Sequence, residues 1–145
     1  MVSLKTALLK TQNILSATGL FRGGVQIGDV RKAPDDVVAA ILPGSGIVDP
    51  LRQGLLYIES RNIIVRIYVN ALTEPEENIE FRLDEIWTTV KPLLAEGLRL
   101  ATSGIYEINP VGLAYDCVSG TIDQTPFRML EITIPMLIDD AATVT

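Results

Sequence analysis

Any chemistry in this sequence would have to come from carboxylates, lysines, hydroxyls and one thiol, because there is no histidine and Cys117 is the sole cysteine. Without imidazole, the commonest general base, metal ligand and triad member is missing. A zinc site built from cysteine and histidine is excluded, as is a papain-like Cys/His pair. Cys117 falls in a predicted strand and reads as a small buried apolar residue. Gly44-Ser45-Gly46 has neither the Gly-Lys-Ser/Thr of a phosphate loop nor the spacing of a nucleophile elbow, so it reads as a turn. The paired acids Asp35-Asp36 and Asp139-Asp140 would point apart on extended chain, and no calcium-loop pattern surrounds them. They read as solvated charge. Glu59, Glu107 and Asp116 are the carboxylates a paired-acid hydrolase would draw on, and nothing in their spacing separates them from surface residues. The expectation is a protein that is not an enzyme, with no catalytic residue, metal ligand or cofactor.

Two side chains stand out for other reasons. Trp87 lies at helical spacing among Ile, Leu and Val, which favours a place in the core over a ligand pocket. Arg66 interrupts an otherwise apolar strand. A buried arginine must find a carboxylate or leave the core for an edge or interface, so Arg66 implies that one sheet face is not simply packed inside the monomer.

The elements that would position these residues follow from periodicity. A first helix is predicted over Leu4 to Thr18, with Leu4, Ala7, Leu8, Thr11, Ile14 and Leu15 on one stripe, Ser3 as its cap and Gly19 as its left-handed stop. A short extended piece, Val25-Gln26-Ile27, precedes a polar stretch from Asp29 to Asp36. Val37 to Leu42 reads as a buried strand that stops at the Pro43-Gly44-Ser45-Gly46 turn. An extended loop over about 43–62 then carries Ile47, Val48, Leu51, Leu55, Leu56, Tyr57 and Ile58. So apolar a connector is unusual in one domain. Either Leu55 to Glu59 forms another strand, or the segment is an arm that buries itself on a neighbouring subunit. Asn62 to Ala71 alternates with period two and is expected at the sheet centre, with Ile63, Val65, Ile67 and Val69 on one side and Ile64, Arg66 and Tyr68 on the other.

A second helix opens at Thr73-Glu74-Pro75-Glu76, with capping-box spacing and acids at the positive end of the helix dipole. Its core face is Ile79, Leu83, Ile86, Trp87, Val90 and Leu94, and Pro92 is expected to kink the turns before Gly97. Strands are predicted at Ile105 to Asn109, near Ala114 to Val118 and at Phe127 to Met136, with a turn around Ser119-Gly120. The fold class is α+β: one mixed or mainly antiparallel sheet with two principal helices packed against it, in a single domain over 1–145 ending in a flexible tail at about 139–145.

Bulk properties agree. A hydrophobic fraction of 48% and a charged fraction of 21% are a globular balance. The longest apolar run, Val37 to Leu42, is far short of the roughly 20 residues that span a bilayer, so no membrane is expected as partner. The first residues lack the charged-then-apolar run of a secretory signal, and one cysteine fits a reducing compartment, which points to a chain made and kept in a cytoplasm. The net charge of −6, with four lysines and eight arginines among eighteen acids, excludes an obvious basic face for nucleic acid.

Taken together, the opening helix ending in Thr18-Gly19-Leu20-Phe21, the Val25-Gln26-Ile27-Gly28 piece, the Ile63-to-Val69 strand, the acidic-capped helix with Asp84-Glu85-Ile86-Trp87 and the closing Phe127-to-Met136 strand resemble the tail terminator (tail completion) proteins of long-tailed bacteriophages. The resemblance spans Leu4 to Asp140 and is one of size and element order. It implies a structural virion protein: a homohexameric ring that caps the tail tube, halts its polymerisation and joins it to the head-completion or connector protein. The implied partners are further copies of the chain, the tail tube protein and the connector, with DNA passing through the lumen without specific binding. Ile47, Val48, Leu51, Leu55, Leu56, Tyr57 and Arg66 are the candidate subunit or tube contacts. Two other classes stay open, another head-tail junction or tail-tube protein and a small carboxylate-based enzyme or ligand-binding domain.

Overall fold

The computed structural model describes residues 4–49, 58–72, 75–100 and 112–138. The elements are α1 (Leu4–Ser16), β1 (Val25–Ile27), β2 (Val38–Asp49), β3 (Ile58–Asn70), α2 (Glu76–Leu100), β4 (Ala114–Ile122) and β5 (Thr125–Ile138). The strands form one five-stranded sheet in the order β1-β2-β3-β5-β4. β1 and β2 are parallel, and the other neighbouring pairs are antiparallel. This is the α+β architecture expected, with the Arg66 strand at the centre.

Both helices cover one face of the sheet, because the period-two and period-3.6 apolar patterns can be buried only against each other. Ile63, Val65, Ile67 and Val69 of β3 and Leu130, Ile132, Ile134 and Met136 of β5 join Ala7 and Leu15 of α1 and Ile79, Leu83, Val90, Leu94 and Leu98 of α2 in one cluster. Each fully buried aliphatic side chain of this kind stabilises by about 1.5–3 kcal/mol relative to exposure. Thr11 is the buried polar member, satisfied by donating its hydroxyl to the Ala7 carbonyl at 2.8 Å. Gly19, at φ 70°, follows the last turn of α1 as a left-handed stop.

Several boundaries differ from the sequence reading. Pro43 to Gly46 is not the end of β2 but a bulge within it, and the ladder with β3 resumes at Gly46↔Arg61 and runs to Asp49↔Ile58. Gly44 is required there by crowding, since a Cβ would lie 2.9 Å from the Asn62 carbonyl oxygen. The expected loop at about 43–62 is therefore mostly a hairpin, of which only 50–57 falls outside the described residues. Gly97 does not end α2, which continues to Leu100 with Leu98 fully buried. Instead Gly97 lets α1 approach: a Cβ there would stand 3.1 Å from Ile14 Cδ1.

The turn joining β4 and β5 sits not at Ser119-Gly120 but at Asp123-Gln124, both with positive φ (49° and 65°), the conformation of a two-residue hairpin loop of type I′. Gly120 lies inside β4 beneath the Phe127 ring, where a Cβ would come within 2.7 Å of Cζ. α1 ends at Ser16, two residues before Thr18. The expected strand at Ile105 to Asn109, the capping pair Thr73-Glu74 and the tail at 139–145 lie outside the described residues.

Candidate functional site: a clamped strap and a projecting hairpin

The face of the sheet turned away from the helices carries the polar residues that sequence alternation assigns to it. Arg66 on β3 faces Glu131 directly across the ladder to β5, and its Nε donates to Glu131 Oε2 at 3.0 Å. Its Nη1 donates to Asp29 Oδ2 at 2.7 Å, and two residues along the same face the Tyr68 hydroxyl donates to Asp29 Oδ1, also at 2.7 Å. One guanidinium thus holds two carboxylates, one from the sheet and one from the segment leading out of β1. Burial alone would lower the Arg66 pKa, but the hydrogen bond to Glu131 and the charge of Asp29 raise it above its ordinary value. Burial and the hydrogen bond to Asp29 push the Tyr68 hydroxyl up to about 12.

Asp29 opens an irregular stretch, Gly28 to Asp36, which we call the strap. Val30 of the strap packs on a small second cluster, Ala40, Tyr68 and Met129, that Ile122 and Phe127 border from the β4–β5 side. Phe127 meets Tyr68 edge-on with ring centroids 5.1 Å apart. At the far end of the strap the Asn70 side-chain amide donates to the Pro34 carbonyl at 3.2 Å.

The second feature is the end of the β2–β3 hairpin. Among the residues whose burial is described, full burial stops at Ile41 on β2 and begins at Ile63 on β3, and on β5 it reaches Met136 opposite Arg61, while β2 and β3 stay paired out to Asp49↔Ile58. Pro43, Ser45 and Gly46 are exposed. β1 pairs only with residues 39–41 of β2, and β4 reaches only Thr133 of β5, so β2, β3 and β5 alone form the sheet at this end among the described residues. The β2–β3 pairing therefore runs three residue pairs beyond the Gly46↔Arg61 level.

Of the residues singled out from sequence, Ile47 and Val48 are placed on β2 opposite Ser60 and Glu59. Leu51, Leu55, Leu56 and Tyr57 lie outside the described residues. Arg66 is not brought together with the hairpin end: it is eight residues along β3 from Ile58, about 27 Å at the usual rise of a strand. Arg66 does what a half-buried arginine requires, by finding carboxylates on a face only partly closed within the chain. Sequence reasoning did not single out Asp29, Tyr68 and Glu131. Tyr68 was legible from alternation, whereas Asp29 meets Arg66 only through the path of the strap.

The residues with reactive groups are dispersed. Cys117 is half-buried against the main core rather than fully enclosed, and burial pushes its thiol up, with Arg128 opposing. Asp116 is exposed and accepts the Cys117 N–H at 2.9 Å, and Asp36 accepts the Val37 N–H at 2.8 Å, which is ordinary turn and strand-end chemistry. Arg128 donates to Glu80 of α2 at 2.7 Å and to Ser119 at 3.0 Å, tying the start of α2 to the β4–β5 hairpin. Trp87 is partly buried and stacks on Tyr115 at 4.4 Å, with Tyr115 57% exposed on the edge strand β4. Among the described residues no three Cys, Asp or Glu side chains are grouped to hold a metal, and no helix is long and apolar enough to cross a membrane. No protein-family model matches the chain, and neither does any curated protein.

Proposed function

We propose that this chain is a structural virion protein, a phage tail terminator that assembles into a ring, hexameric by the family resemblance, caps the tail tube, stops its polymerisation and joins it to the head connector. The observation that carries the reading is the β2–β3 hairpin, which stays paired for three residue pairs beyond the Gly46↔Arg61 level, where Met136 is the last core residue described, and leads into a sequence rich in Ile, Val, Leu and Tyr. A long paired hairpin with an apolar sequence at its end suits burial on another surface. Contact of that end with a different surface on the next copy is heterologous, and such contacts close into rings when the rotation permits.

Charge supports the same reading. Exposed Glu76, Glu77, Asp84 and Glu85 crowd the first half of α2 on a chain of net charge −6. Acidic surfaces repel phosphate, which favours passage of DNA through a ring without adhesion. On this reading the site of action is the head-tail junction of the virion, after assembly in the host cytoplasm.

The test is to shorten the hairpin without touching the core. Residues 47–60 are replaced by Asn-Gly, so that Gly46 and Arg61, already ladder partners, flank a two-residue turn. Electron microscopy of the full chain is expected to show closed rings, and the shortened variant is expected to keep its circular dichroism spectrum while losing them. Rings that survive the shortening would remove the hairpin from the contact. Long tubes formed by the full chain would replace the terminator with a tube protein.

A further inference from the structure

We infer that the strap Gly28–Asp36 is a hinged cover over the second face of the sheet, held shut by Asp29 and able to open as a unit while the rest of the fold stays intact. Its ends are fixed to the sheet by backbone hydrogen bonds, Gly28 N–H to the Ile41 carbonyl at 2.8 Å and Gly23 N–H to the Val37 carbonyl at 2.8 Å. Between them, among the described residues, no strap backbone group from Asp29 to Asp36 bonds to another backbone group. The strap is held by side chains instead: Asp29 on Arg66 and Tyr68, the Gln26 amide of β1 on the Gly28 and Asp29 carbonyls, the Asn70 amide on the Pro34 carbonyl, and the apolar contacts of Val30 and the buried Pro34.

Segments with few apolar contacts and no ladder hydrogen bonds are those that open locally at a small fraction of the global free energy. The space around the strap fits this picture, because a depression of about 960 Å³ lies between it and the β1 side, lined by Arg22, Gln26 and Ile27. The strap is thus tied at Asp29 and packed only at Val30, Ala33 and the buried Pro34. Gly28, at φ 102°, has the backbone freedom of a hinge.

Asp29 is the fastening point because it alone joins the strap to the charged group of the sheet. Arg66 keeps Glu131 when the strap lifts, so the guanidinium is never left without a carboxylate and opening does not strand a charge. What opening uncovers is Tyr68 with Ala40 and Met129, at present 4%, 0% and 7% exposed. The cover therefore controls access to the apolar part of a sheet face that the helices leave free.

The strap carries its own reporter, since Arg31 and Lys32 are exposed trypsin sites within it, while Lys10 lies in α1 and reports opening of an element outside the strap. Limited trypsin digestion of the full chain, followed by mass spectrometry, gives both rates at once. Asp29→Ala is expected to speed cleavage after Arg31 and Lys32 about tenfold, equivalent to about 1.4 kcal/mol, with cleavage after Lys10 unchanged. Glu131→Gln removes the other partner of Arg66 without touching the strap, and is expected to leave strap cleavage within about twofold of the parent. Equal strap cleavage in Asp29→Ala and the parent would overturn the fastening. Acceleration at Lys10 in proportion would overturn opening as a unit, and an equal rise in Glu131→Gln would overturn the special place of Asp29.

Discussion

Replacing Arg66 by methionine tests whether the ion-pair cluster contributes to stability or merely decorates the surface. Methionine keeps the length and most of the apolar stem, so the change isolates the charge. The side chains of Arg66 and Glu131 are 30% and 29% exposed and meet at 3.0 Å, which places the pair between a solvated contact and a buried one. Hydrogen bonds to charged groups contribute about 1.5–3 kcal/mol when shielded, and exposed pairs about 0.2–1 kcal/mol. The Asp29 contact belongs near the lower figure, because that carboxylate is 41% exposed. Loss of both contacts, with two carboxylates left facing each other, is expected to cost about 2 kcal/mol in urea-induced unfolding, a readable share of the 5–15 kcal/mol usual for a domain. A double-mutant cycle with Glu131→Gln is expected to give a coupling of about 1 kcal/mol. A loss below about 0.5 kcal/mol, or a coupling indistinguishable from zero, would refute the claim that this guanidinium organises the face.

Two further outcomes follow from the same face of the sheet. The Tyr68 hydroxyl is raised from 10.0 to about 12, so its contribution to stability is complete below about pH 10 and is lost as pH climbs through about 12. Absorbance titration at 295 nm should show one tyrosine ionising near pH 12, absent in Tyr68→Phe, and a tyrosine spectrum complete by pH 11 in the folded protein would contradict this. Gly120→Val should destabilise by about 1–2 kcal/mol, because its Cβ would meet the Phe127 ring at 2.7 Å and drive it from its edge contact with Tyr68; an unchanged urea midpoint would show that the ring yields freely.

Long periodic segments were legible because their burial partners are set by a single face. The stripe Ile79, Leu83, Ile86, Val90 and Leu94 and the alternation Ile63, Val65, Ile67 and Val69 each have one way to be buried, and both are buried as that pattern requires. Glycines misled the reading, because a sequence does not distinguish a glycine that turns the chain from one that yields space. Gly44, Gly97 and Gly120 each sit within a continuing element, opposite an Asn62 carbonyl, an Ile14 side chain and a Phe127 ring respectively. The actual hairpin turn, Asp123-Gln124, has no glycine to advertise it.

The same limit applied to the site. Arg66 announced itself as a charge in an apolar strand, and Tyr68 shared its face by parity. Glu131 required the register of β3 against β5, fixed by the pairing Arg66↔Glu131, and Asp29 required the course of a strap with no periodic signal at all.

The central proposal, that this polypeptide acts through the shape and adhesion of its surfaces in a closed assembly, is tested most directly by native mass spectrometry of the full chain over rising concentration. The expected spectrum passes from single chains to one larger species of fixed copy number, with nothing beyond it. Single chains at every concentration, or an unbounded ladder of sizes, would contradict it.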